Sequence, residues 1–164
     1  MTTPKLELPM ILALDPGGTT GACLYNPLRD TTEIEHLGPE EHHRELWEML
    51  AETLGESFEA KVPLHIVCES FEFRKTERHR DFINYIPREY IGIAKLFWKL
   101  HRYTSGVMYY EQKAAAAKGF FDDDKVKKLA LWVPGRKHAM DATRHYLYHR
   151  TFTLNDKSLL YKLR

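Results

Sequence analysis

Between residues 10 and 37 the chain carries three strand-like runs, MILALD, GACLYN and TTEIEHL, joined only by PGGTT and PLRD. Connections of four or five residues are too short for a crossover, so the three strands must lie antiparallel, side by side. The first run is continuously apolar, as in a strand buried on both faces, and the third alternates as a half-exposed strand does. A different grammar follows. GPEEHHRELWEMLAETLG (38–55) predicts a helix with Pro39 in its first turn and Gly55 as its stop. LHIVCES (64–70) predicts a fourth strand, PREYIGIAKLFWKLHRYT (87–104) a second helix, and GVMYYE (106–111) a fifth strand. A helix between strands four and five is what a parallel crossover requires. The expected fold is therefore α/β, a mixed five-stranded sheet of three antiparallel strands followed by parallel ones, flanked by helices.

The rest of the chain reads as helices: QKAAAAKG, then DDDKVKKLALWV, then RKHAMDATRHYLYHR after Pro134-Gly135. The 164 residues suffice for one domain with a real core, taken here as 1–150, with 151–164 as a basic, loosely attached tail. With 24 Lys and Arg against 23 Asp and Glu, the net charge is +1, so a nucleic-acid surface would have to be a local cluster. Cys23 and Cys68 each sit in an apolar strand, the pattern of free core thiols in a reducing compartment. No stretch reaches the roughly 20 apolar residues of a membrane span, and the first ten residues do not resemble a signal peptide. The expectation is a cytoplasmic protein with no membrane partner.

Three acidic residues stand at informative places. Asp15 ends the first strand, Glu69 ends the fourth, and Asp141 lies in the last well-formed helix. His138 is three residues before Asp141 and His145 four after, so all three project from one helical face. If strands one and four are neighbours, a helix packed across their ends brings the carboxylates together. Clustered carboxylate oxygens suit Mg²⁺ or Mn²⁺, and two such ions can drive phosphodiester hydrolysis. His138 would complete the metal shell or position a water. Asp15 with its PGGTT turn also fits the first phosphate loop of sugar kinases and actin-like ATPases. Those proteins need a second glycine-rich loop and a second lobe, and neither is visible in this sequence.

LALDPGGTTG, VCESFEF and the HAMDA helix, in that order, resemble the RuvC-type Holliday junction resolvases of the RNase H-like superfamily, over about residues 10–149. The resemblance implies a metal-dependent endodeoxyribonuclease of DNA recombination and repair. Its catalytic and metal-binding set would be Asp15, Glu69, His138 and Asp141, with two Mg²⁺ or Mn²⁺ ions per site. It also implies a homodimer on four-way junctions, in a bacterial or phage-infected cell. The helix from Pro87 corresponds to the region through which relatives dimerise. Phage-encoded members accept other branched DNA, so flaps, forks and RNA–DNA hybrids stand as alternative substrates. A catalytically inactive DNA-binding module is a further alternative. The acidic triplet Asp122–Asp124 departs from the family pattern.

Nucleic-acid contacts are expected from the segment after Glu69. Phe71 and Phe73 alternate there, and Arg74, Lys75, Arg78 and Arg80 form a cationic run suited to phosphates. The resemblance makes Phe71, then Phe73, the aromatic that wedges at a junction. Lys113, Lys118, Lys125, Arg136 and Lys137 are further candidates, and Lys125 resembles a family lysine near the scissile phosphate. Gly17 and Gly18 are expected to allow unusual backbone angles that leave room for DNA.

Overall fold

The structure, a computed structural model, describes residues 8–37, 42–71, 86–103 and 105–164. Five strands form one sheet: β1 (Met10–Asp15), β2 (Thr20–Asn26), β3 (Thr31–Leu37), β4 (Leu64–Glu69) and β5 (Met108–Gln112). Their order is β3-β2-β1-β4-β5. β1, β2 and β3 are antiparallel, while β4 is parallel to both β1 and β5. This is the expected mixed sheet, and it places β4 beside β1.

Helices α1 (His42–Ala60) and α2 (Ile86–His101) cover one face. Met10, Leu12 and Leu14 of β1 point there, into a core with Leu46, Leu50, Tyr90 and Phe97. The opposite face carries α3 (Ala114–Phe120), α4 (Asp123–Lys128), α5 (Lys137–Tyr148) and α6 (Ser158–Lys162). Ile11, Ala13 and Val67 meet Met140, Ala142, Tyr146 and Leu147 of α5 on that side. Successive side chains alternate along a strand. Asp15 therefore shares the α5 face with Ile11 and Ala13, and Glu69 shares it with Val67. The end of each strand delivers its carboxylate to the same helix.

Three local expectations change. Gly55 does not stop α1, which continues to Ala60 and ends where Lys61 turns to φ +55°. A Cβ on Gly55 would meet nothing within 4 Å, so the residue is an exposed interior glycine. Such a residue costs about 1 kcal/mol, which buried Leu54 and Ser57 on either side outweigh by packing. The helix predicted over 122–133 is only α4, because Ala130 adopts φ +58°. Residues 151–164 are not loose. A π-helical turn, His149–Thr153, continues α5, Thr151 and Leu159 are buried, and Arg150 Nε donates to Asp156 Oδ2 at 2.6 Å.

Cys23 and Cys68 are free and buried, as expected. Among the described residues no helix is long and apolar enough to cross a membrane.

Candidate active site

Asp15, Glu69, His138, Asp141 and His145 converge where the ends of β1 and β4 meet α5. His138 Nδ1 lies 2.8 Å from Asp15 Oδ2. Two turns on, His145 Nε2 donates to Glu69 Oε2 at 2.9 Å, and its Nδ1 faces the Gln112 side-chain amide of β5 at 3.0 Å. Between them Asp141 is 5% exposed, as is Asp15. Lys118 of α3 reaches in from the side, its ammonium 2.9 Å from Asp141 Oδ2 and 3.3 Å from Glu69 Oε2. Each carboxylate is thus held by a basic side chain, Asp15 by His138, Glu69 by His145 and Asp141 by Arg144, while the Lys118 ammonium bridges Glu69 and Asp141.

The electrostatics follow from crowding. Burial, reinforced by the charge of Glu69, pushes Asp15 up to about 7 against the hydrogen bond from His138. Burial also resists the ionised form of Glu69. The hydrogen bond from His145 and the charge of Lys118 overcome that and hold Glu69 down to about 2. Two carboxyls side by side keep one proton between them unless a cation arrives. Burial opposes the Lys118 charge, yet Asp141 and Glu69 hold its ammonium above the usual lysine value.

The donor set fits a divalent ion by chemistry: hard carboxylate oxygens, one imidazole, and a stand-in cation already drawn between Glu69 and Asp141. As arranged, no three His, Cys, Asp or Glu side chains among the described residues close on one point. The Lys118 ammonium occupies the place between Glu69 and Asp141 from which both could share an ion.

The approach of α5 depends on Gly21, which pairs with Asp15 across the β1–β2 hairpin. A Cβ there would stand 2.1 Å from the backbone carbonyl of His138. Only a residue without a side chain lets α5 come so close. The turn glycines have no left-handed role: among the described residues the glycines with positive φ are Gly106 and Gly135. A Cβ on Gly17 would lie 3.3 Å from His138 Cε1, so Gly17 leaves room for the imidazole.

Of the expected nucleic-acid residues, Phe71 is exposed two positions beyond Glu69. Phe73, Arg74, Lys75, Arg78 and Arg80 lie outside the described residues. Lys118 joins the carboxylates, whereas Lys125 is held by the Phe120 carbonyl at 2.6 Å and by Asp122. Lys113 precedes α3. Exposed Arg136 donates to the Ile34 carbonyl at 3.0 Å, and Lys137 starts α5. Lys118, Arg136 and Lys137 line a cleft of about 910 Å³ that opens beside Asp141. Four site residues lie outside the expected catalytic set: Lys118, expected only as a nucleic-acid contact, Arg144, whose Nη1 donates to Asp141, His145 and Gln112. His145 is marked by its spacing from His138 and Asp141. Gln112 carries no sequence signal: the sequence pattern ends the fifth strand at residue 111, and the structure extends it to Gln112.

No protein-family model and no curated protein matches this sequence. Solved structures do. Thermus thermophilus RuvC in complex with a Holliday junction substrate superposes with a TM-score of 0.57 at 16% identity, covering 91% of this chain and 97% of that one. A second Thermus thermophilus RuvC structure gives 0.53 at 16% identity, covering 88% and 95%. The likeness shows the fold, the RNase H-like arrangement of RuvC, across nearly the whole chain.

Proposed function

We propose that this protein is a metal-dependent, structure-selective DNA endonuclease that nicks four-way junctions. The observation that carries the reading is three neighbouring carboxylates, with Glu69 and Asp141 near enough to help raise Asp15 well above its ordinary value, on a fold shared with RuvC in complex with a Holliday junction substrate. Like charges gathered in a buried site weaken the fold, and a cation-dependent role explains their presence.

Asp15, Glu69 and Asp141, with His138, would hold Mg²⁺ or Mn²⁺, two ions per site. Bound there, such ions supply an activated water and charge neutralisation at the leaving oxygen. The protein's own groups have separable tasks. His145 fixes the orientation of Glu69, and Gln112 in turn fixes His145. His138 orients Asp15 through Nδ1, which would leave Nε2 as its ligand nitrogen. Lys118, once it gives up its place between Glu69 and Asp141, carries its charge toward the phosphate. Arg136 and Lys137 in the adjoining cleft bind backbone phosphates, and exposed Phe71, two positions beyond Glu69, serves as the stacking aromatic. The working form is a homodimer, which suits symmetric cutting of a four-way junction.

A labelled four-way junction tests this directly. Incubation with Mg²⁺ or Mn²⁺ should release nicked strands, EDTA should stop the release, and Asp15→Asn should reduce it by about 10³-fold or more while junction binding persists. Failure of the wild-type protein to cut a junction, flap, fork or hybrid in either metal refutes the nuclease reading. Cleavage of flaps, forks or hybrids with the junction untouched would retain the chemistry and replace the substrate.

A further inference from the structure

The acidic triplet Asp122–Asp124, foreign to the family pattern, has a place in the structure. Asp122 caps α4 by accepting from the Lys125 amide at 2.9 Å. Asp123 receives Nη2 of Arg144. Arg144 lies one turn after Asp141 on α5 and is only 8% exposed. Its Nε donates to the Phe121 carbonyl at 3.0 Å and its Nη1 to Asp141 Oδ1 at 2.5 Å. All three guanidinium nitrogens are therefore engaged, and two of the partners belong to the α3–α4 segment rather than to α5. Held from outside the helix, the guanidinium cannot turn with Asp141. One oxygen of Asp141 is committed to Arg144, and the other, Oδ2, is the one that faces the site through Lys118.

We propose that Arg144, anchored by Asp123, is a positioning residue that restricts Asp141 to binding a metal ion through Oδ2 alone, and thereby selects small octahedral cations over calcium. This rests on the reading of Asp141 as a metal ligand. The physical basis is coordination geometry. Mg²⁺ takes one oxygen from each carboxylate in a tight octahedron, whereas Ca²⁺ takes six to eight oxygens and gains from a carboxylate that grips with both. A guanidinium locked on Oδ1 costs the smaller ion nothing and removes one contact from the larger.

Calorimetric titration of the full chain with MnCl₂ and with CaCl₂, without DNA, tests this. Wild type should prefer Mn²⁺. Arg144→Met should shrink the Mn²⁺-to-Ca²⁺ affinity ratio by about tenfold, the scale of losing one supporting partner of a ligand. Asp123→Asn, a change at an exposed carboxylate that leaves Arg144 in place, should shift the ratio the same way by about threefold. A purely structural role for Arg144 would weaken both ions together and leave the ratio unaltered, and that result overturns the proposal. Should Arg144→Met not fold, Asp123→Asn decides alone. If wild type binds neither ion, the metal-site reading itself fails and takes this one with it. An unchanged ratio beside normal wild-type binding strikes only the role of Arg144.

Discussion

At the residue scale, the site turns on one absent side chain as much as on the charged ones. Gly21 lies directly under the first turn of α5, where an added methyl would overlap the main chain of His138 and Ala139. Backbone cannot rotate aside as a side-chain tip can. Gly21→Ala should therefore push α5 off the sheet, at a cost of roughly 1–3 kcal/mol from overpacking. Displacing His138 from Asp15 by an ångström should lower cleavage by about 100-fold. Thermal unfolding and single-turnover cleavage measure the two effects. Loss of stability with full activity would show that α5 can shift without disturbing the site. In the sequence Gly21 is one small residue in an apolar strand. What it excludes is a partner 117 positions away, so local pattern could not reveal it.

At the element scale, α5 and the π-helical turn are pinned to the sheet by a buried histidine pair. His65 Nδ1 of β4 lies 3.0 Å from His149 Nε2, and both rings pack on Tyr110 of β5. Burial pushes His65 down to about 4 and His149 to about 3. Both are neutral in the fold at pH 7, while the unfolded chain takes up protons below about 6.5. The unfolded state then binds more protons, so stability is complete above pH 6.5 and falls as pH drops toward 4. Each histidine should contribute a loss of about 3 kcal/mol across that window. His149→Phe should remove about 3 kcal/mol of the acid loss relative to wild type between pH 7 and 4, read from denaturant unfolding at pH 7, 6, 5 and 4. An unchanged slope would exclude the pair as its source. Taking the difference between the two proteins also cancels Asp15, whose raised value acts in the opposite direction over an overlapping range.

At the scale of the whole molecule, a net charge of +1 conceals an uneven distribution. The α1 side of the sheet carries a groove of about 350 Å³ bordered by Glu33, Glu35, Glu45, Glu48, Glu52 and Glu56. A phosphate backbone is repelled there, so the proposed function needs the α5 side, where Lys118, Arg136 and Lys137 line a cleft together with Asp122, Asp123 and Asp124. On α2, Leu96 and Leu100 are 52% and 58% exposed, with Tyr103 and Met108 exposed nearby. An apolar patch of this kind is what a self-association face requires. Sedimentation equilibrium should find a dimer at micromolar concentration, and Leu96→Glu with Leu100→Glu should return a monomer. Because both side chains are exposed, the monomer's unfolding free energy should change by no more than about 0.5 kcal/mol per substitution. A wild-type monomer at tens of micromolar would count against the dimer.

Hydrophobic period and connection length sufficed to read the strands, their antiparallel start and the mixed sheet, because both are local properties of the chain. They also put Asp15 and Glu69 at strand ends, and His138, Asp141 and His145 on one helical face. What they could not supply was partnership. The pairing of His138 with Asp15, His145 with Glu69, and Lys118 rather than Lys125 with the carboxylates arises where β1, β4, α3 and α5 meet. The reach of α1 past Gly55 and the burial of residues beyond Thr151 were settled by packing as well. Period specifies which face a residue occupies. Which side chain meets it there depends on how closely the elements approach, and in this protein that distance is set by Gly21 and the apolar surfaces beneath α5.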